Sequence, residues 1–93
     1  MKLSKQEFLS RSGLGEETLN AWIEEEWLIP HRSSVEMSFS DIDIARARLI
    51  RDLKMDFGVN DAGVGVVLNL LDQLHGLRRT LMELRHAGRI ISE

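Results

Sequence analysis

The chain has 93 residues, 43% of them hydrophobic, enough for one domain with a modest core. Fifteen Asp and Glu against twelve Lys and Arg leave a formal charge of -3, whereas an autonomous nucleic-acid binder is usually basic. The absence of cysteine excludes disulfides, thiolate metal ligation and a cysteine nucleophile.

No segment reaches the roughly 18 uninterrupted apolar residues of a membrane helix, and "MKLSKQEFLS" holds no apolar stretch of signal-peptide length. A soluble cytoplasmic protein is expected. "SKQEFLSR" offers Ser4 as N-cap with Glu7 three residues later, the reciprocal capping box, and predicts a first helix over about 5–11. The glycines of "SGLGEET" turn the chain, with Leu14 tucked into the core. A second helix should run from Glu16 to Glu25. Leu19, Trp22 and Ile23 form its apolar stripe, while Glu16, Glu17, Asn20, Glu24 and Glu25 lie outside it.

Pro30 ends that helix, and "LIPHRSSVEMSFS" then sets Val35, Met37 and Phe39 against Glu36 and Ser38. The alternation predicts a small hairpin with Arg32 to Ser34 near its tip. Ser40 and Asp43 form a second capping box, opening a third helix over about 41–56. Its apolar side is read as Ile42, Ala45, Leu49 and Leu53 with Ile50, and Gly58 stops it. Asn60 caps a fourth helix that begins near Asp61.

That helix is the longest element. From Val67 its apolar residues recur at Leu70, Leu74, Leu77, Leu81 and Leu84, in steps of three and four that make a heptad seam. Together with Leu71, Met82 and Ile90 they exceed what so small a head can cover, so a homodimer through this seam is expected. Gly88 interrupts the heptad, and a fray or bend is expected there.

Few residues carry the pattern of a chemical site. His31, His75 and His86 have no ligand spacing, so no metal is expected. There is no nucleophile elbow, phosphate-cradling glycine loop or paired acid and base, so neither catalysis nor a cofactor is expected. In "GVGVVL" the glycines at 63 and 65 fit close helix packing, and "ARARLIRDLK" interleaves its cations with aspartates, which favours pairing within the helix over a DNA track. Trp22 belongs to the core stripe. Trp27, at the helix exit, could cover the core or stand exposed as an interface anchor.

The order helix, turn, helix, hairpin, helix, long coiled helix resembles the MerR family of winged-helix transcription regulators. Those proteins commonly carry T-I-R-Y-Y-E-x-x-G-L-L-x-P before a wing and Y-S-E-E-D-L-A-R-L after it. Thr18, Leu19, Trp22, Leu28 and Pro30 keep the apolar and turn positions of the first, and Phe39, Ser40, Asp43, Ile44, Ala45 and Arg46 keep those of the second. The arginine that faces DNA in the family falls on Asn20, and the following polar and glycine positions fall on Glu24, Glu25 and Glu26. Each lost cation removes a phosphate contact and each carboxylate adds repulsion, so DNA binding is expected to be poor.

The chaperone-modulator branch, the CbpM family, is a closer likeness. "SGLGEETLNAWIEEEWLIP" and "FSDIDIARARLIRDLKMDFGVNDAGVGVVLNLLDQLHGLRR" resemble its sequences from Phe8 to Arg79, with "VND" inserted after the Phe57 turn. This resemblance implies an all-α fold with a minor β-hairpin: a MerR-like winged helix-turn-helix head over residues 1–58, then a dimerisation helix and tail over 59–93. It also implies a partner, the J-domain of a DnaJ-like or CbpA-like co-chaperone, whose Hsp70-contacting helix is basic. The complementary surface is assigned to Glu17, Asn20, Glu24, Glu25, Glu26 and Trp27. The alternatives are a MerR-type DNA-binding regulator and a structural adaptor with another partner; for the acidic helix alone, the other reading is a solvated face with no role in binding.

Overall fold

The structure is a computed structural model that describes residues 2–91. In chain order its elements are β1 (Leu3–Ser4), α1 (Lys5–Ser12), α2 (Glu16–Glu24), β2 (His31–Arg32), β3 (Met37–Phe39), α3 (Asp41–Met55) and α4 (Asp61–Ile91). They fall into two compact units, Met1–Asp61 and Ala62–Glu93. The fold is helical with a small antiparallel sheet, a winged helix followed by a long helix.

Local signals set the helix boundaries of the first unit. At α1 the Ser4 hydroxyl accepts from the Glu7 N–H at 3.1 Å, and the Glu7 carboxylate accepts from the Ser4 N–H at 3.0 Å. The box satisfies two otherwise unpaired donors. Gly13 ends the helix in the left-handed region at φ 75°, its N–H returning to the Leu9 carbonyl. Ser40 and Asp43 form the second box at the start of α3. Beyond its end Gly58, at φ 65°, lets the Val59 N–H reach back to the Leu53 carbonyl.

The sheet has three strands in the order β1-β3-β2, one more than the hairpin read from sequence. β1 pairs with β3 through Leu3 opposite Phe39, and β2 with β3 through Arg32 opposite Met37. A two-residue strand is too short to show alternation. The hairpin tip also sits later than expected: Ser33 closes it by bonding Glu36, and Val35 is 89% exposed at the tip instead of facing Phe39's side.

Leu3, Phe8, Leu19, Trp22, Trp27, Leu28, Phe39, Ala47 and Ile50 are the buried apolar residues of this unit. Phe8 stacks on Phe39 with ring centroids 4.3 Å apart, tying α1 to the sheet. The apolar side of α3 differs from the stripe expected. Ala47 and Ile50 are buried and Leu49 and Leu53 half-buried, but Ala45 is exposed and Ile42 is 78% exposed. Two cations tie α3 to other elements in this rotation. The Arg46 Nε donates to the Trp27 carbonyl, and the Arg51 guanidinium to the Ser12 carbonyl at the end of α1. The second contact places a cation where unpaired carbonyls and the helix dipole favour one.

In the second unit α4 continues as helix through Gly88 to Ile91, so the expected fray or bend at Gly88 is not found. One glycine costs a helix only about 1 kcal/mol relative to alanine. Val64 and Leu68 are buried, whereas Leu70, Leu74, Leu77, Leu81 and Leu84 are exposed and Val67 is half-buried. The side chain of Ile90, read with this apolar set, lies outside the described residues.

Candidate functional site

The exposed face of α2 is built by its own periodicity. Leu19 and Trp22 turn inward and Ile23 is half-buried, which leaves Glu17, Asn20, Ala21 and Glu24 on the outside. Glu17, Ala21 and Glu24 follow at i, i+4 and i+7, with Asn20 at i+3, so they form one surface row. Glu25 is the C-cap, and Glu26 follows it at the exit. Glu16 is held by Lys5 at 3.0 Å. No charged partner within 4.0 Å holds Glu17, Glu24, Glu25 or Glu26 among the described residues.

Two details of this row work against local stability. The last turn of α2 carries no basic residue, and Glu24 and Glu25 place negative charge at the negative end of the helix dipole. Glu26 lies in the left-handed region at φ 62°, the only non-glycine with positive φ among the described residues. That conformation costs an L-residue roughly 1–2 kcal/mol relative to its ordinary wells. The winged-helix pattern places a glycine at this step, and here a carboxylate replaces it.

Trp27 is not a surface anchor. Its side chain is buried at 6% exposure, 6.2 Å from the Trp22 ring in a tilted arrangement. Lys54 lies over its ring with Nζ 5.5 Å from the centroid and is also paired with Asp61. Of the two placements open from sequence, the tryptophan covers the core. Glu17, Asn20, Glu24, Glu25 and Glu26 are all exposed.

Beside the acidic row, the α1–α2 turn, α2 and the C-terminal part of α3 border an open groove of about 570 Å³. Leu14, Ala21, Trp22 and Met55 give it an apolar lining, and Glu17 and Thr18 stand at its α2 edge. Arg51 and Lys54 also line it, with their charged ends engaged by the Ser12 carbonyl and by Asp61. Sequence reasoning missed this cleft and both arginine tethers, because the acceptors are main-chain carbonyls distant along the chain.

The remaining basic groups are dispersed. His31 and Arg32 are exposed on β2, and Arg48 on α3. Three of the cations of α3 reach other elements, Arg46 to Trp27, Arg51 to Ser12 and Lys54 to Asp61. Among the described residues no cluster of three His, Cys, Asp or Glu could hold a metal, and no helix is long and apolar enough to cross a membrane.

The heptad positions of α4 stay exposed over the span from Leu70 to Leu84, about 21 Å at 1.5 Å per residue. Steps of four, three, four and three residues keep the five leucines on one side.

Among curated proteins none matches the chain. The family model described as MerR HTH family regulatory protein matches residues 3–86, which spans both the winged helix and most of α4. The chain belongs to the MerR family of helix-turn-helix regulatory proteins.

Proposed function

We propose that this protein is a non-enzymatic cytoplasmic regulator that binds the J-domain of a DnaJ-like co-chaperone and masks its Hsp70-contacting surface, as the likeness to the CbpM family implies. The acidic face of α2 carries the reading. Where a DNA-reading helix would present cations, Glu17, Glu24, Glu25 and Glu26 stand exposed with no charged partner within 4.0 Å among the described residues. Two of these carboxylates oppose the helix dipole and a third occupies a strained backbone position. Residues that lower local stability mark functional positions, since stability alone would select against them. A basic J-domain helix supplies the complementary charge.

The regulator acts as a homodimer. The exposed leucines of α4 would each contribute about 1.5–3 kcal/mol if fully buried against a second copy, enough to sustain association after its entropic cost.

DNA binding is the second reading, favoured by family membership and by the exposed His31, Arg32 and Arg48. One experiment separates them. The purified protein is titrated with the recombinant J-domain and, in parallel, with random-sequence duplex DNA over a range of salt. Saturable J-domain binding at physiological salt, with DNA retention lost there, supports the first reading. Submicromolar, sequence-selective DNA binding at that salt with no J-domain binding overturns it.

A further inference from the structure

The acidic row supplies charge but no apolar anchor, because Trp27 is turned into the core. Electrostatic faces raise the association rate, while lasting complexes depend on an apolar side chain seated in a desolvated pocket. The cleft of about 570 Å³ next to the row meets that need. Ala21 lies between Glu17 and Glu24 on the same helical face and lines the cleft, so charge and cavity are contiguous. Its size lies within the roughly 300–1,000 Å³ of preformed ligand sites. Leu14, Ala21, Trp22 and Met55 give the cleft its apolar wall, so an apolar side chain fits there better than a polar one.

The geometry points to this cleft as the seat of one large apolar side chain from an amphipathic, basic helix of the partner, with Lys or Arg one turn to either side meeting Glu17 and Glu24. The assignment rests on the J-domain reading and adds to it where the anchor goes and which side of the complex provides it. A helix places residues at i-4, i and i+3 along one face, so cation, apolar residue and cation match Glu17, Ala21 and Glu24 in register. Asp61 offsets the Lys54 charge, whereas Arg51 is held by the neutral Ser12 carbonyl and keeps its charge at the cleft wall, so the seated side chain itself has to be uncharged and the partner's cations stay on the Glu17 and Glu24 side. Met55, 78% exposed, closes over the seated side chain from α3.

The test uses the full-length protein, the recombinant J-domain and surface-based kinetics. Ala21→Trp fills the cleft from within and leaves every glutamate in place. It should weaken binding about tenfold or more, chiefly through faster dissociation, with the salt dependence of association unchanged. Circular dichroism verifies that the variant is folded. Trp22 lines the cleft, so the wild-type protein gives a second readout that needs no variant: its indole emission should shift when a tryptophan-free J-domain saturates it. If Ala21→Trp binds like wild type, or the emission stays unchanged at saturation, the cleft is not the seat, although the acidic-face reading stands. Should wild type not bind the J-domain at all, both readings fall.

Discussion

The ring of Phe8 lies on that of Phe39 at 4.3 Å between centroids and 21° between planes, so the first helix and the central strand share one aromatic contact at the middle of the head. Phe8 is fully buried, and Phe39 pairs through its backbone with Leu3. One contact thus joins α1, β1 and β3. Phe8→Ala should lose about 3–5 kcal/mol, a large share of the roughly 5–15 kcal/mol available to a small domain. Urea unfolding followed by circular dichroism measures it. Phe8→Leu should lose distinctly less, and equal losses for the two would show that the stacked ring matters no more than any apolar filler.

Glu26→Gly should stabilise the head. The backbone at this step is left-handed at φ 62°, which glycine adopts without the steric penalty of a Cβ. The expected gain is about 1 kcal/mol, reduced in part by glycine's greater freedom in the unfolded chain. Thermal melting would show a higher midpoint. A lower one would mean that the Glu26 side chain stabilises the turn in a way its exposed position does not suggest.

The Glu7 carboxylate is held below the ordinary value by the Ser4 N–H, then by the Ser4 hydroxyl, with a smaller contribution from Arg11. A lowered carboxylate contributes stability that is complete above its unfolded value, about 4.3, and that disappears as pH falls through the lower folded value. Acidification below about pH 4.5 should therefore loosen α1. Glu7→Gln can still accept from Ser4 but cannot titrate, so its stability should change less with pH in that window. Parallel pH slopes for the two proteins would remove the capping box from the explanation.

The capping boxes were legible because each is written within four residues: Ser4 with Glu7, and Ser40 with Asp43. The buried side of α3 was not. Its sequence offers a stripe through Ile42, Ala45, Leu49 and Leu53, with Ile50 at its edge, and another through Ala47 and Ile50, more than a third of a turn apart at 3.6 residues per turn. The choice between them is made by tertiary packing, which buries Ala47 and Ile50 and brings Arg46 and Arg51 to carbonyls 19 and 39 residues away. Within the candidate site, the glutamates were readable from helical spacing alone. Trp27 was ambiguous because an aromatic at a helix exit fits core and surface equally well, and its packing on Trp22 is a tertiary event.

Leu74→Glu with Leu77→Glu should convert the proposed dimer to monomer. Both residues are exposed in the single chain, so the substitutions leave the isolated head intact. In a paired helix they would bury two carboxylates against leucines, at several kcal/mol each. Light scattering at micromolar concentration distinguishes the states. A wild-type monomer under these conditions would remove the seam as a dimer contact, and a dimeric double variant would relocate it.

Reversing Glu24 and Glu25 to lysine separates stability from binding. Both carboxylates sit at the C-terminal end of α2, where the helix dipole disfavours negative charge. The double variant should therefore be the more stable protein, by about 0.3–1 kcal/mol per charge at low salt. Binding to a J-domain should move the other way. Exposed carboxylates act chiefly by steering, so association should slow by about tenfold or more at low salt and lose most of its salt dependence, while dissociation changes little. Ala21→Trp should alter dissociation instead, so the two variants form a kinetic pair. Stopped-flow mixing across ionic strength reads both rates, with circular dichroism as the control for folding. An unchanged association rate in the lysine variant would reduce the acidic row to a solvated surface and move the search for the partner site to the exposed Phe57 that follows α3.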